Sequence, residues 1–160
     1  MDGAEAARPL AWALRSASPA DVETIAELRA VVMRADLERL GRFDEHRVRQ
    51  RLRDAYAPQH TSIILVDGLF AGCVTLRPVD HGQWLENFYL EPGCQGRGLG
   101  SAVLRTLLRR TDADGAPVRL HVLQGSAAFR LYERHGFTVE AQDPIDIAMV
   151  RRPGAVVVPG

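Results

Sequence analysis

The residues with the clearest capacity for chemistry lie in one stretch, Pro92-Gly93-Cys94-Gln95-Gly96-Arg97-Gly98-Leu99-Gly100-Ser101. It follows an apolar segment ending at Leu90 and opens an amphipathic one, which is the pattern of a strand-to-helix turn. Glycines permit positive φ and let a ligand approach the backbone closely. The first N–H groups of a helix have no internal partner and carry the positive end of its dipole. The combination is an anion site, suited to a pyrophosphate and independent of lysine. That independence matters, because every basic side chain in this sequence is arginine. A Walker loop, which needs Gly-Lys-Ser/Thr, is thereby excluded. A dinucleotide fingerprint needs GxGxxG in a βαβ unit and an acid roughly 20 residues further on. Here the spacing is Gly96-x-Gly98-x-Gly100, a hairpin precedes the strand, and no acid stands at that place. The remaining alternative is a structural turn that binds nothing.

Other side chains could move protons. Glu86 sits in a segment whose alternation puts Trp84, Glu86, Phe88 and Leu90 on one face and Leu85, Asn87 and Tyr89 on the other. A carboxylate among such neighbours either opens into a cleft or is buried at a cost. His121 and His81 are the nearest alternatives as bases. Cys94 borders a helix N-terminus, which can lower a thiol pKa, but it reads as incidental. Cys73 and Cys94 lie far apart, and the five histidines lack ligand spacing, so neither a disulfide nor a metal site is indicated.

These groups need elements to hold them. Leu10 to Arg15 reads as a first strand. Ser18-Pro19-Ala20-Asp21 opens a helix, with Val22, Ile25, Leu28 and Val32 on its buried stripe. Ala35 to Phe43 is mixed, with Gly41 as a breaker. Asp44 to Tyr56 is a second helix, buried through Val48, Leu52 and Tyr56, whose many arginines read as a solvated face. Ser62 to Val66 and Leu69 to Arg77 form a hairpin about Asp67-Gly68. A strand Trp84 to Leu90, the turn, and a helix Leu99 to Arg110 follow. Then come a strand Val118 to Leu123, a helix Ser126 to His135 ended by Gly136, and strands Thr138 to Glu140 and Ile145 to Val150. The order is β-α-α-β-β-β-α-β-α-β-β, an α/β arrangement around a mixed sheet.

Composition bounds the partners. A chain of 160 residues supplies one core and little room for a second. Residues 1–9 read as a disordered leader, 10–152 as the domain and 153–160 as a flexible tail. Twenty basic and twenty acidic residues give no net charge, so neither nucleic acid nor an anionic membrane is expected as a partner. No apolar run reaches the roughly 18 residues of a membrane span. No secretory signal is recognisable, which points to the cytoplasm.

The pattern Gln95-x-x-Gly98-x-Gly100 resembles the Q/R-x-x-G-x-G/A signature of the GNAT N-acetyltransferase superfamily. A second block, Val122-Leu123-Gln124-Gly125-Ser126-Ala127-Ala128-Phe129-Arg130-Leu131-Tyr132-Glu133-Arg134-His135-Gly136-Phe137, is similar to that family's later V-L-x-x-N-x-A-x-x-L-Y-E-x-x-G-F block. Both occur in the family's order along residues 10 to 152. The chain departs from it at Ser126, where the family often has Asn.

The resemblance implies a sheet of about seven strands flanked by about four helices, with the fourth and fifth strands splayed. It implies acetyl-CoA as co-substrate and no metal. The pantetheine arm would lie in the gap, against the backbone of Phe88, Tyr89 and Leu90, in the manner of an added strand. The turn Gln95, Gly96, Arg97, Gly98, Leu99, Gly100 and Ser101 would hold the pyrophosphate, with further cofactor contacts from Ser126 and Phe129. Tyr132 matches the family's tyrosine near the sulfur and is expected to serve the departing thiolate. Glu86 is expected to be the general base, directly or through water, and a backbone N–H near Leu90 to stabilise the oxyanion. The acceptor is expected to be a primary amine of a small molecule, shaped by Met33 to Phe43. The alternatives are a protein N-terminus or lysine, or an acyl-CoA-binding module without catalysis. A homodimer is left open.

Overall fold

The structure is a computed structural model that describes residues 11–155. The expected leader, Leu10 of the first strand, and the tail beyond Ala155 lie outside the described residues. The described residues form seven strands and four α-helices, in the order β1 (Trp12–Ser16), α1 (Val22–Arg39), α2 (Glu45–Ala55), β2 (Thr61–Val66), β3 (Leu69–Val79), β4 (Gly82–Leu90), α3 (Leu99–Ala113), β5 (Val118–Leu123), α4 (Ala128–Arg134), β6 (Thr138–Gln142) and β7 (Asp146–Arg151). The element order is the one the periodicities predict. The strands form one sheet in the order β1-β2-β3-β4-β5-β7-β6. All neighbours are antiparallel except β4 and β5, which run parallel.

The Asp67-Gly68 turn has positive φ at both residues, as a two-residue hairpin matched to strand twist requires. The other expected boundaries shift for identifiable reasons. Pro19–Asp21 forms a 3₁₀ turn ahead of α1, fixed by the Asp21 carboxylate, which accepts from the Ser18 amide at 2.8 Å. Arg15 caps the same carboxylate at 2.9 Å, and that hydrogen bond lowers the Asp21 pKa to about 2. Helix α1 runs on through the expected mixed segment to Arg39. Exposed pairs such as Arg34–Glu38 support its last turns, and Gly41, at φ +69°, turns the chain away. Helix α4 begins at Ala128 rather than Ser126. The Ser126 hydroxyl still accepts from the Ala128 amide at 3.3 Å, so its capping role is shortened rather than lost.

Two apolar clusters hold the layers. On one face of the sheet, α3 contributes Val103, Leu104 and Leu107, and α4 contributes Tyr132, packed with Ile64, Val74, Leu85 and Leu120. On the other, Ile25 and Ala26 of α1 and Leu52 of α2 meet Ile63 and Cys73. Each fully buried leucine or isoleucine contributes about 1.5–3 kcal/mol of transfer free energy. Phe137 folds back onto α4 after Gly136, its ring edge-on to Tyr132 with centroids 5.6 Å apart.

One irregularity positions the site. The register between β3 and β4 slips between Cys73 and Thr75, where Asn87 takes φ +49°. Asparagine tolerates this left-handed conformation better than most residues. The bulge puts two residues of β4 opposite one of β3 and reverses the alternation beyond it. Glu86 faces Thr75 and Tyr89 faces Cys73 in register, so Glu86 and Tyr89 share a side. The expected face of Trp84, Glu86, Phe88 and Leu90 is thereby corrected. Phe88 and Leu90 pack with the α3–α4 cluster, while Tyr89 packs with the α1–α2 cluster. Gly72 of β3 makes the close approach possible: a Cβ there would stand 2.1 Å from the Tyr89 carbonyl oxygen.

Candidate active site

Strands β4 and β5 pair only at their starts, Gln83 with Val118 and Trp84 with Arg119. Beyond these two residues they part. The far half of β4, bent by the Asn87 bulge, leaves its β5-facing edge without a strand partner among the described residues. The cleft that opens holds about 330 Å³ and is walled by β4 residues 84–89, by His121 to Leu123 of β5, by Ser126 ahead of α4, and by Ala128 and Tyr132 on it. Helix α1 supplies the roof through Val32, Met33 and Asp36. Arg39 secures that roof, pairing with Asp36 at 2.6 Å and donating to the Gln124 carbonyl on the β5–α4 loop.

The glycine-rich turn stands where β4 ends. Gly96 and Gly98 have φ of +71° and +81°, and none of the described residues lies within 4 Å of where a Cβ would be on either. Gly98 is the N-terminal flanking residue of α3, with no side chain capping the helix. The amides of residues 96–101 find no acceptor among the described residues. Six consecutive unpaired donors at a helix start, with open space above two of them, form a concave anion receptor. Gln95 is built into the scaffold: its side chain donates to the Leu90 carbonyl at 3.0 Å and fastens the turn to the end of β4. Arg97 is exposed beside the turn, and Leu99 buries its side chain while leaving its amide at the helix start. A Cβ on Gly100 would meet Leu131 at 3.5 Å and Leu90 at 3.6 Å, so the helix start faces both the strand end and α4.

Tyr132 is 8% exposed and lines the cleft. Its hydroxyl makes no hydrogen bond to the described residues and is not sealed off from the cleft. Burial, with Tyr89 nearby, pushes its pKa well above the usual phenol value, so it stays protonated at neutral pH. Tyr89 is raised by burial too, with its hydroxyl between Arg29 at 3.3 Å and Asn87 at 3.1 Å. Glu86 reaches the cleft with both oxygens held: Oε1 by Arg77 at 2.8 Å and Oε2 by the Trp84 indole at 3.0 Å. His121 also lines the cleft, edge-on to Trp84 at 4.9 Å. The structure thus gathers Glu86, Phe88, Tyr89, Ser126 and Tyr132 around one gap, with the turn at the strand end.

Other candidates fall elsewhere. Phe129 lines a separate hollow with Phe137, Val139 and Met149 rather than the cleft. His81 lies in the exposed β3–β4 turn, at the end where β4 and β5 are zipped, which removes it as a base. Sequence reasoning missed the bulge at Asn87 and the Arg39 strap. An Asn in mid-strand, a residue that takes positive φ more readily than most, is the single local signal for the first, and nothing local marks the second. Among the described residues, no group of three or more His, Cys, Asp and Glu is placed to hold a metal, and no helix is long and apolar enough to cross a membrane.

Residues 25–137 match the family described as Acetyltransferase (GNAT) family. The fold is similar to that of a PaiA N-acetyltransferase from Thermoplasma acidophilum in complex with coenzyme A, at 21% identity and TM-score 0.73, over 89% of this chain and 99% of that one. It is also similar to a ribosomal-protein-S18-alanine N-acetyltransferase from Escherichia coli, at 19% identity and TM-score 0.66, over 91% and 96%. A third similar fold is the N-acetylglutamate synthase from Neisseria gonorrhoeae complexed with coenzyme A and L-arginine, at 19% identity and TM-score 0.64. There the match covers 89% of this chain and 33% of that one.

Proposed function

The chain belongs to the GNAT acetyltransferase family, and on that premise we propose that it transfers the acetyl group of acetyl-CoA to a primary amine of a small molecule. The products are the amide and free CoA. The observation that carries the reading is the parting of β4 from β5 after two residue pairs, beside six unpaired amides. Both features suit a long thioester carrier with a diphosphate at mid-length. The amides of residues 96–101 would hold the diphosphate, and the open edge of β4 at Phe88, Tyr89 and Leu90 would take the amide-bearing arm. Acetyl-CoA, when bound, supplies an activated acyl group, and the chain's own residues do the rest.

An alkyl ammonium has a pKa near ~10, so the acceptor must lose a proton before it can attack. Glu86 is the proposed acceptor of that proton, through a water. Arg77 and Trp84 fix its orientation, and each carboxylate oxygen keeps a second lone pair for the water. A backbone amide near Leu90 is the proposed donor to the acetyl oxygen. Tyr132 is proposed to give its proton, or a hydrogen bond, to the departing sulfur. Glu86→Gln keeps the size and loses the basic oxygen. Its kcat/KM at neutral pH is expected to fall roughly 10- to 100-fold with a changed pH profile. A profile of wild-type shape and height assigns proton removal to His121.

A small-molecule acceptor is supported by a second cavity of about 600 Å³ that borders the cleft, with Met33, Leu123 and Asp146 lining both. Incubation with acetyl-CoA and panels of amines and peptides, followed by free thiol release, tests the whole reading. Turnover confined to peptides overturns the small-molecule part. Thermal stabilisation by acetyl-CoA with no thiol release on any acceptor overturns the catalytic part.

A further inference from the structure

We infer that the acceptor is an amine carrying an anionic group, a carboxylate or a phosphate, and that Arg42, Arg47 and Arg51 receive that group. The inference rests on the acetyltransferase reading above and names the acceptor class for the same site.

The arginines of α2 do not form a uniform solvated face, contrary to the sequence expectation. They sort into two i,i+4 pairs. Arg49 and Arg53 turn to α1 and pair with Glu27 at 2.7 Å and Glu23 at 2.8 Å. Arg47 and Arg51 turn to the 600 Å³ cavity, where neither meets a carboxylate among the described residues. Arg42, from the α1–α2 connection, joins them and is equally unpaired among the described residues. Arg29 lines the inner side, but its guanidinium is committed to the Val48 carbonyl at 2.9 Å and the Tyr89 hydroxyl at 3.3 Å.

Against these four arginines the cavity sets two aspartates. Asp143 uses Oδ1 to fix its own turn, accepting from the Ile145 and Asp146 amides at 2.8 and 2.7 Å. Asp146 borders both the cavity and the cleft and forms no ion pair with the described residues. The arrangement has a direction. An acid, Asp146, stands on the wall that the cleft and the cavity share, where an ammonium is favoured. Three guanidiniums without an ion-pair partner among the described residues line only the adjoining cavity, where they present positive charge to an anion. Guanidinium forks match carboxylate and phosphate oxygens in pairs, and their charge does not titrate away. None of these three side chains makes an ion pair with the described residues, and all three are exposed.

The test is thiol release from acetyl-CoA with glutamate and β-alanine, with O-phosphoethanolamine, with neutral ethanolamine and with the dication putrescine. At least one anionic amine is expected to exceed ethanolamine at least ~10-fold in kcat/KM, and the carboxylate and phosphate arms identify the source of the anion. In the double variant Arg47→Gln, Arg51→Gln, KM for that amine is expected to rise roughly tenfold with kcat retained. Preference for ethanolamine or putrescine overturns the inference, as does an unaltered KM in the double variant. Release with neutral or cationic amines alone leaves the acetyltransferase reading standing and removes only the anionic acceptor. Absence of release with every amine and peptide removes the reading on which the inference rests.

Discussion

Gly98→Asp is expected to weaken CoA binding at least ~100-fold while leaving the fold intact. None of the described residues lies within 4 Å of a Cβ at this position, so the side chain has room. The backbone cost of a left-handed φ is modest for aspartate, on the order of 1 kcal/mol. The new carboxylate would stand at the start of α3, accepting from one or two of the free amides there and placing negative charge beside the rest. A diphosphate then meets repulsion where it met donors. Gly98→Asn is the control, with the same backbone demand and no charge, and is expected to lose markedly less. Calorimetric titration with CoA reads both, and a thermal melt confirms that each variant is folded. Wild-type affinity in Gly98→Asp contradicts an anion receptor at this turn.

Tyr132→Phe is expected to lower kcat at least ~10-fold with CoA affinity unchanged. The hydroxyl has no hydrogen-bond partner among the described residues, so removing it leaves no buried group stranded. The ring remains to pack against Phe137. A loss of turnover therefore reports the hydroxyl's chemistry rather than damage to the core. Burial holds that hydroxyl protonated across the neutral range, as a donor to a departing sulfur must be. Stopped-flow thiol release on the folded variant measures the change. Unaltered turnover takes Tyr132 out of the mechanism.

The order of elements was legible because each has a strong period: alternation in the strands, a 3.6-residue stripe in the helices, and glycine or proline between them. The turn was legible for a related reason, since Gly96 and Gly98 have few other uses at a strand-to-helix junction. The parting of β4 and β5 came from the family resemblance, because strand pairing is long-range and leaves no local mark. The faces of β4 were misread because one bulge at Asn87 inverts every later residue, and alternation assumes none. Composition showed the arginines of α2 but not how they divide. That division depends on Glu23 and Glu27, which reach them from another helix. Helix α1 ran past its expected end because its last turns are held by exposed ion pairs, to which a hydrophobic pattern is blind.

The central claim is that the free amides at the start of α3 grip the diphosphate of CoA and direct its arm between β4 and β5. An amide-resolved titration of the isotope-labelled chain with CoA, followed by proton–nitrogen NMR, tests it most directly. The largest shifts are predicted at residues 96–101, with a second set at Phe88, Tyr89 and Leu90. Saturable binding whose shifts avoid both segments contradicts the claim, as does the absence of binding at millimolar CoA.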